Sequence, residues 1–310
     1  MRSLCAFVLI AAACYRPDYS EKTCTDNSGC PADYLCSGGH CTPGTRPPDL
    51  ATPPDLSPPR LDLTGSTLPP RDEVLVMGVS GYTLGAAADA PTLDGFDQPQ
   101  ATVDIASFYL DVTEVTVAEY RACVQAGRCA VPDPTKNCDN AGLCARCNYD
   151  VANRDDHPVN CVSQTEAAAF CAAVGRRLPS EDEFELVARG STGRLYPWGT
   201  GQPGAAFICA DRTALNPGTC PVTQYRGGFA GTPFKGIAGN VWEWTSSRAC
   251  AYPNRNTGCK SATAWIVRGG GFSDLTVPVV NKAFLSTTRL WNDASQRGDN
   301  RGFRCAHPAM

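Results

Sequence analysis

Eighteen cysteines and only three histidines, His40, His157 and His307, bound the chemistry open to this chain of 310 residues. Thiolates bind soft metals or pair as disulfides, and imidazoles move protons near neutral pH. No Gly-x-Ser-x-Gly elbow occurs, so a serine hydrolase lacks its nucleophile turn. His157 precedes Pro158, where a structural hydrogen bond is the expected role. Cys144-Ala-Arg-Cys147, with Cys138, Cys161 and His157, has the residue types of a zinc cluster, as does His40 beside Cys41. So many cysteines argue for an oxidising compartment, where disulfides are the expected state of both groups. One carboxylate stands apart. In Val241-Trp242-Glu243-Trp244 the alternation reads as a strand with two rings on one face and Glu243 on the other. The glycines Gly269, Gly270 and Gly271 then let a backbone pass close to something bulky, expected to be the two tryptophans.

The elements that would position these residues are partly legible. Thr116 with Glu119, Ser163 with Glu166, and Ser180 with Glu183 each match the capping box of a helix start. Val117, Tyr120 and Val124 share a face of the first helix. The second runs from Gln164 to Val174 and stops at Gly175, and the third stops at Gly190. Beyond Gly190, short strands and Gly/Pro turns are expected without a clear helix. The fold class is therefore α+β. With 29 Gly and 25 Pro, long regular helices are excluded. The net charge of -4, without a long basic run, excludes a nucleic-acid footprint.

The chain divides by composition. Arg2 and the apolar run Leu4 to Ala13 before Cys14 read as a lipoprotein-type signal peptide over residues 1–13. Cleavage there would lipidate Cys14 and remove Cys5, leaving an even number of cysteines. The run is too short to span a bilayer. Residues 14–23 form a tether. Residues 24–41, with Cys24, Cys30, Cys36 and Cys41, form a small disulfide module, too short to bury a core of its own. Residues 42–72 repeat Pro-Pro-Asp-Leu and form a Pro-rich linker. As polyproline II it would reach about 90–100 Å. A single folded domain is expected over residues 73–310. Lipid anchor, spacer and distal domain together imply an exported protein at a bacterial outer membrane or cell surface.

The order His157-Pro-Val-Asn160, Arg177-Leu-Pro-Ser-Glu-Asp-Glu-Phe184, Ala188-Arg-Gly190, Tyr196-Pro-Trp-Gly199, Gly239-Asn-Val-Trp-Glu-Trp-Thr245, Arg268-Gly-Gly-Gly-Phe272 and Gly302-Phe-Arg-Cys-Ala306 resembles the formylglycine-generating enzyme (sulfatase-modifying factor) family. Val76-Met-Gly78 and Phe108-Tyr-Leu-Asp-Val-Thr-Glu-Val-Thr116 are similar to that family's opening. The resemblance implies a variant of the C-type lectin fold with little regular structure. It places a long-range disulfide at Cys171 and Cys305. It puts a second one at positions held here by Ala188 and about Phe284, where both cysteines are missing. The other cysteines of the domain are expected to pair locally. Cys123–Cys129, Cys209–Cys220 and Cys250–Cys259 are the simplest choices, and the connectivity of Cys138, Cys144, Cys147 and Cys161 stays open.

The resemblance also says where chemistry would sit. In the family's oxidases two cysteines after the glycine strand bind copper(I) and convert a sulfatase cysteine to formylglycine. Here Asp274 and Val279 hold those places, and Gly271 replaces the usual Ser. Copper is not expected, since neither group is a soft ligand, and no catalytic residue is assigned. The family's calcium turn maps onto Gly239, Val241 and Glu243, with Gly236 in place of an Asn ligand; oxygen ligands suit that ion. Family relatives that use a three-histidine iron site carry an extra N-terminal helical domain, which is not expected for this chain. The leading expectation is a ligand-binding or structural module. An exposed surface of Asp274, Asn281, Arg289, Trp291, Asn292 and Asp293 would meet a protein, peptide or glycan. The alternative is a formylglycine-generating oxidase acting on a sulfatase cysteine.

Overall fold

In a computed structural model the chain is described at residues 23, 34–37, 39–43, 70–138, 144–201, 208–210, 218–224, 232–253, 257–274 and 282–309. The readings of a signal peptide ending before Cys14, of the tether, of Cys24 and Cys30, of most of the linker, and of Val279 and Asn281 lie outside those residues. The chain separates into two units, residues 1–65 and 66–310. In the first, β1 (Tyr34–Ser37) and β2 (His40–Pro43) pair antiparallel, with Cys36 opposite Cys41. Gly39, at φ +83°, closes the turn between them. Cys41 is disulfide-bonded.

The second unit mixes helix and strand, in accord with the α+β expectation. Its strands are β3 (Glu73–Val76), β4 (Val79–Leu84), β5 (Ala101–Ile105) and β6 (Phe108–Asp111), then β7 (Trp242–Arg248), β8 (Ala264–Arg268), β9 (Leu290–Asp293), β10 (Arg301–Gly302) and β11 (Ala306–Pro308). They form a four-stranded sheet in the order β10-β7-β8-β9, a three-stranded sheet β11-β6-β3, and the pair β4-β5. The helices α1 (Val117–Gln125), α2 (Gln164–Ala173) and α3 (Glu181–Arg189) all lie before β7. Each opens with a complete capping box at Thr116, Ser163 and Ser180, where side chain and backbone satisfy each other's orphan groups. Gly190 ends α3 at φ +64°, a conformation that excludes most side chains.

The largest core cluster sits between α1, α2 and the tryptophan face of β7. Tyr120 stacks on Phe170 at 5.5 Å, and Phe303 meets both edge-on. Trp242 and Trp244 are buried in this cluster, and the Trp244 indole N–H donates to the Val162 carbonyl at 3.0 Å. Cys171 on α2 is joined to Cys305, 134 residues later. The chain also forms Cys123–Cys129, Cys209–Cys220 and Cys250–Cys259. The open question of connectivity resolves as Cys138–Cys144 and Cys147–Cys161.

The glycine strand differs from expectation in what it packs against. Of the three glycines only Gly271 abuts a tryptophan, where a Cβ would stand 3.1 Å from Trp242 Cδ1. A Cβ on Gly270 would stand 2.6 Å from the Phe284 ring, and one on Gly269 would stand 2.9 Å from the Ile237 carbonyl. The backbone is thus threaded between Trp242, Phe284 and the turn before β7, and each glycine clears a different neighbour.

Candidate functional site around the tryptophan strand

Alternation along β7 sends Glu243 to the face opposite the tryptophans, where it is fully buried. Both its oxygens are taken by one guanidinium. Arg304 Nε donates to Oε2 and Nη2 to Oε1, each at 2.7 Å. Arg304 also donates to the carbonyls of Lys235, at 2.8 Å, and Val112, at 3.1 Å. A bidentate, fully hydrogen-bonded pair is the form in which a buried charge is tolerated.

Next to this pair lies Glu114, a residue the sequence reading passed over. Asn240, at φ +62°, donates from Nδ2 to Glu114 Oε1 at 3.0 Å, and its amide oxygen accepts from the Cys220 N–H at 2.9 Å. Its backbone continues the tie, because the Asn240 N–H donates to the Cys209 carbonyl and its carbonyl accepts from the Phe272 N–H. Asn240 thereby fastens the Cys209–Cys220 loop to the end of the glycine strand. Burial pushes the Glu114 carboxyl up to about 8, against the pull of Arg304. The only hint in sequence was that Glu114 lies within the Phe108–Thr116 segment.

A calcium ion on the expected set of Gly239, Val241 and Glu243 would have to compete with this pairing. Glu243 spends both oxygens on Arg304, whereas Glu114 Oε2 is buried beside the turn with no hydrogen-bond partner. The Glu114 carboxyl also fills the space beside Gly236, where a Cβ would collide with it. Gly239 and Val241 keep their places in the turn and lie buried.

The acidic face of α3 makes two further buried pairs. Glu185 accepts from Arg268 Nη2 at 2.8 Å and from the Gly85 N–H at 2.8 Å. Glu181 accepts from Arg289 Nε at 2.6 Å and Nη2 at 2.9 Å. The expectation that Arg289 lines an exposed surface is therefore corrected. Its guanidinium is 1% exposed and sandwiched between the rings of Phe96 and Tyr252. The physical reason is Glu181, a buried carboxylate one helical turn from Glu185 that requires its own counter-charge.

The other surface residues separate. Asp274 does not point away from the fold. Its Oδ2 accepts from the Gly271 N–H at 2.7 Å and closes the turn after the glycine strand. Asn292 accepts from Arg301 Nε at 2.9 Å, and Asp293 accepts from Ser261 Oγ at 3.1 Å and from Thr263 Oγ1. Both are half-buried and hold loops together. Trp291, at 37% exposed, is the ring left open on β9, an edge strand. Asn281 and Val279 lie outside the described residues.

Ala188 and Phe284, the places of the family's second bridge, line one small void of about 10 Å³ with Phe184 and Ile237. It admits roughly one water, not an organic ligand. His157 is structural in this setting. Its Nδ1 lies 2.9 Å from Thr219 Oγ1, and burial, with Arg154 beside it, drives the imidazole down to about 4. It is neutral at physiological pH and far from a shuttle's range.

The sulfatase-modifying factor enzyme 1-like domain matches residues 64–309. The chain is 30% identical to the formylglycine-generating enzyme of Streptomyces coelicolor over 69% of its own length and 82% of that enzyme. It is 34% identical to the inactive C-alpha-formylglycine-generating enzyme 2 of Bos taurus over 50% of its own length, and it spans about half of that relative, 51%. Among solved structures, PvdO from Pseudomonas aeruginosa shares the fold at a TM-score of 0.59 and 22% identity, covering 76% of this chain and 94% of PvdO. A tryptophan strand paired to a glycine strand, three capped helices ahead of them and a match across nearly all of the second unit lead to one conclusion: the chain belongs to the sulfatase-modifying factor, or formylglycine-generating enzyme, family.

Proposed function

We propose that this domain serves as a binding module of its family, without copper oxidase activity, displayed on a lipid-anchored tether. The observation that carries the reading is the state of its thiols. All twelve cysteines of residues 73–310 are consumed in six disulfides, and by the family resemblance Asp274 takes the place of the first copper-binding cysteine. Copper(I) is held by soft thiolates, and a carboxylate that already caps a backbone N–H is no substitute. Thiolate coordination would require opening a bridge. The name of the Bos taurus relative marks that protein as inactive, which is in keeping with loss of the oxidase on this scaffold.

Trp291, on the edge strand β9 and open to solvent, is the anchor we assign to a protein, peptide or glycan ligand, since exposed aromatic rings supply apolar area with little entropy cost. The tether reading rests on the apolar run Leu4 to Ala13 before Cys14 and on the Pro-rich linker.

The test is incubation of the purified full chain with a sulfatase-type Cys-x-Pro-x-Arg peptide and copper(I), followed by mass spectrometry. The expected result is an unchanged peptide thiol. Loss of the sulfur with gain of an aldehyde would restore the oxidase alternative. In parallel, a glycan and peptide array read with the native chain and with Trp291→Ala should show signals that the substitution removes.

A further inference from the structure

The sulfur cluster between the first two helices has no role in this reading, and its geometry suggests one. The Sγ atoms of Cys144, Cys147 and Cys161 all lie within 4.8 Å of one another. Cys147 and Cys161 are bonded together, while Cys144 is bonded to Cys138. One sulfur of the first bridge therefore sits within reach of both sulfurs of the second. Among the described residues this is the one place where three such ligand atoms gather. Exposure is graded across it. Cys138, Cys144 and Cys147 are half-buried, and Cys161 is fully buried.

Two features prepare the turn for exchange. Cys144-Ala-Arg-Cys147 has the Cys-x-x-Cys spacing in which thiols are acidified, and the exposed cation of Arg146 favours a thiolate beside it. Asn160 then holds the turn in place independently of any disulfide. Its Nδ2 donates to the Arg146 carbonyl at 2.9 Å, and its Oδ1 accepts from the Asn148 N–H at 2.7 Å. Both backbone groups flanking Cys147 are thus tied to the residue preceding Cys161. Opening the Cys147–Cys161 bridge would leave Cys147 facing Cys144.

We propose that Cys138–Cys144 and Cys147–Cys161 form a thiol–disulfide exchange relay, addressed by an external dithiol, with Cys144–Cys147 as the exchanged bridge. The dithiol reduces Cys138–Cys144 and leaves as its own disulfide, so two electrons enter and two thiols form. Cys144 then loses its proton, and the thiolate attacks Cys147 Sγ. The Cys144–Cys147 bond forms as the Cys147–Cys161 bond breaks, and Cys161 departs as a thiolate that takes up the proton. The products are one Cys-x-x-Cys disulfide, a half-buried Cys138 thiol and a buried Cys161 thiol. The relay transfers the reducing equivalents from the surface to the interior.

The experiment uses the intact oxidised chain, limiting dithiothreitol, acid quench, alkylation and peptide mapping by mass spectrometry. The relay predicts a peptide bridged Cys144–Cys147 with Cys138 and Cys161 alkylated. Alkylated Cys138 and Cys144 with Cys147–Cys161 intact would overturn it, as would first opening of any other bridge. Cys138→Ser supplies the second arm, because it frees Cys144 without reductant. The same Cys144–Cys147 bridge with an alkylatable Cys161 is then expected. A stable Cys144 thiol beside an intact Cys147–Cys161 bridge would refute the relay.

Discussion

At the scale of single residues, Glu114 and Glu243 share one environment and divide two roles. Glu243 has a guanidinium across both oxygens, while Glu114 has one amide donor and no cation of its own. A carboxyl held at about 8 in the fold against its ordinary 4.5 keeps a proton that the unfolded chain has already lost between those values. Stability from this group is therefore greatest below pH 4.5 and falls as the pH rises toward 8. Glu114→Gln should flatten that decline in urea unfolding measured across the range; an unchanged slope would show that Glu114 is ionised in the fold. His157 acts in the opposite sense. Held down at about 4, it contributes stability that is present above pH 6.5 and lost as the pH falls through 4. Because Glu243 gives both oxygens to Arg304, millimolar calcium is expected to leave the thermal midpoint of the domain unmoved. A calcium-dependent rise would mean that Glu243 exchanges Arg304 for the ion.

At the scale of elements, α3 is the member that organises the others. Its acidic residues are buried rather than solvated, and Glu181 and Glu185 reach Arg289, just before β9, and Arg268, the last residue of β8. Arg289→Ala would strand Glu181 without its counter-charge and should cost about 3–5 kcal/mol in denaturant unfolding. Combining it with Glu181→Gln should recover part of that loss. If the double variant is as unstable as the single one, the lost packing between Phe96 and Tyr252 dominates. The helix starts make a milder case. Ser163→Ala removes one capping box and should cost about 1 kcal/mol, with the fold otherwise retained.

For the whole molecule, the disulfides divide the labour by loop length. Cys171–Cys305 closes 134 residues and ties α2 to the segment just before β11, whereas Cys250–Cys259 closes a local loop of 9. In the chain-entropy account the first contributes about 5 kcal/mol and the second about 3. Replacing both members of each pair by Ala should lower the unfolding midpoint more for Cys171 and Cys305, and equal losses would point to native strain as the controlling factor. What the chain's order of residues determined alone was local. The three capping boxes, the stop at Gly190 and the two-faced Trp-Glu-Trp strand each depend on neighbours a few positions apart, so backbone geometry writes them into the sequence. The family motifs carried the long bridge from Cys171 to Cys305. The tertiary structure decided the rest. Arg289 looked like a surface cation until Glu181, 108 positions away, claimed it, and Glu243 found its guanidinium in Arg304, 61 positions away. The pairing of Cys138, Cys144, Cys147 and Cys161 was likewise undetermined by spacing, because proximity in space is set by Asn160 and the turn it holds. Burial forces these charged groups to pair, through contacts that no local pattern records.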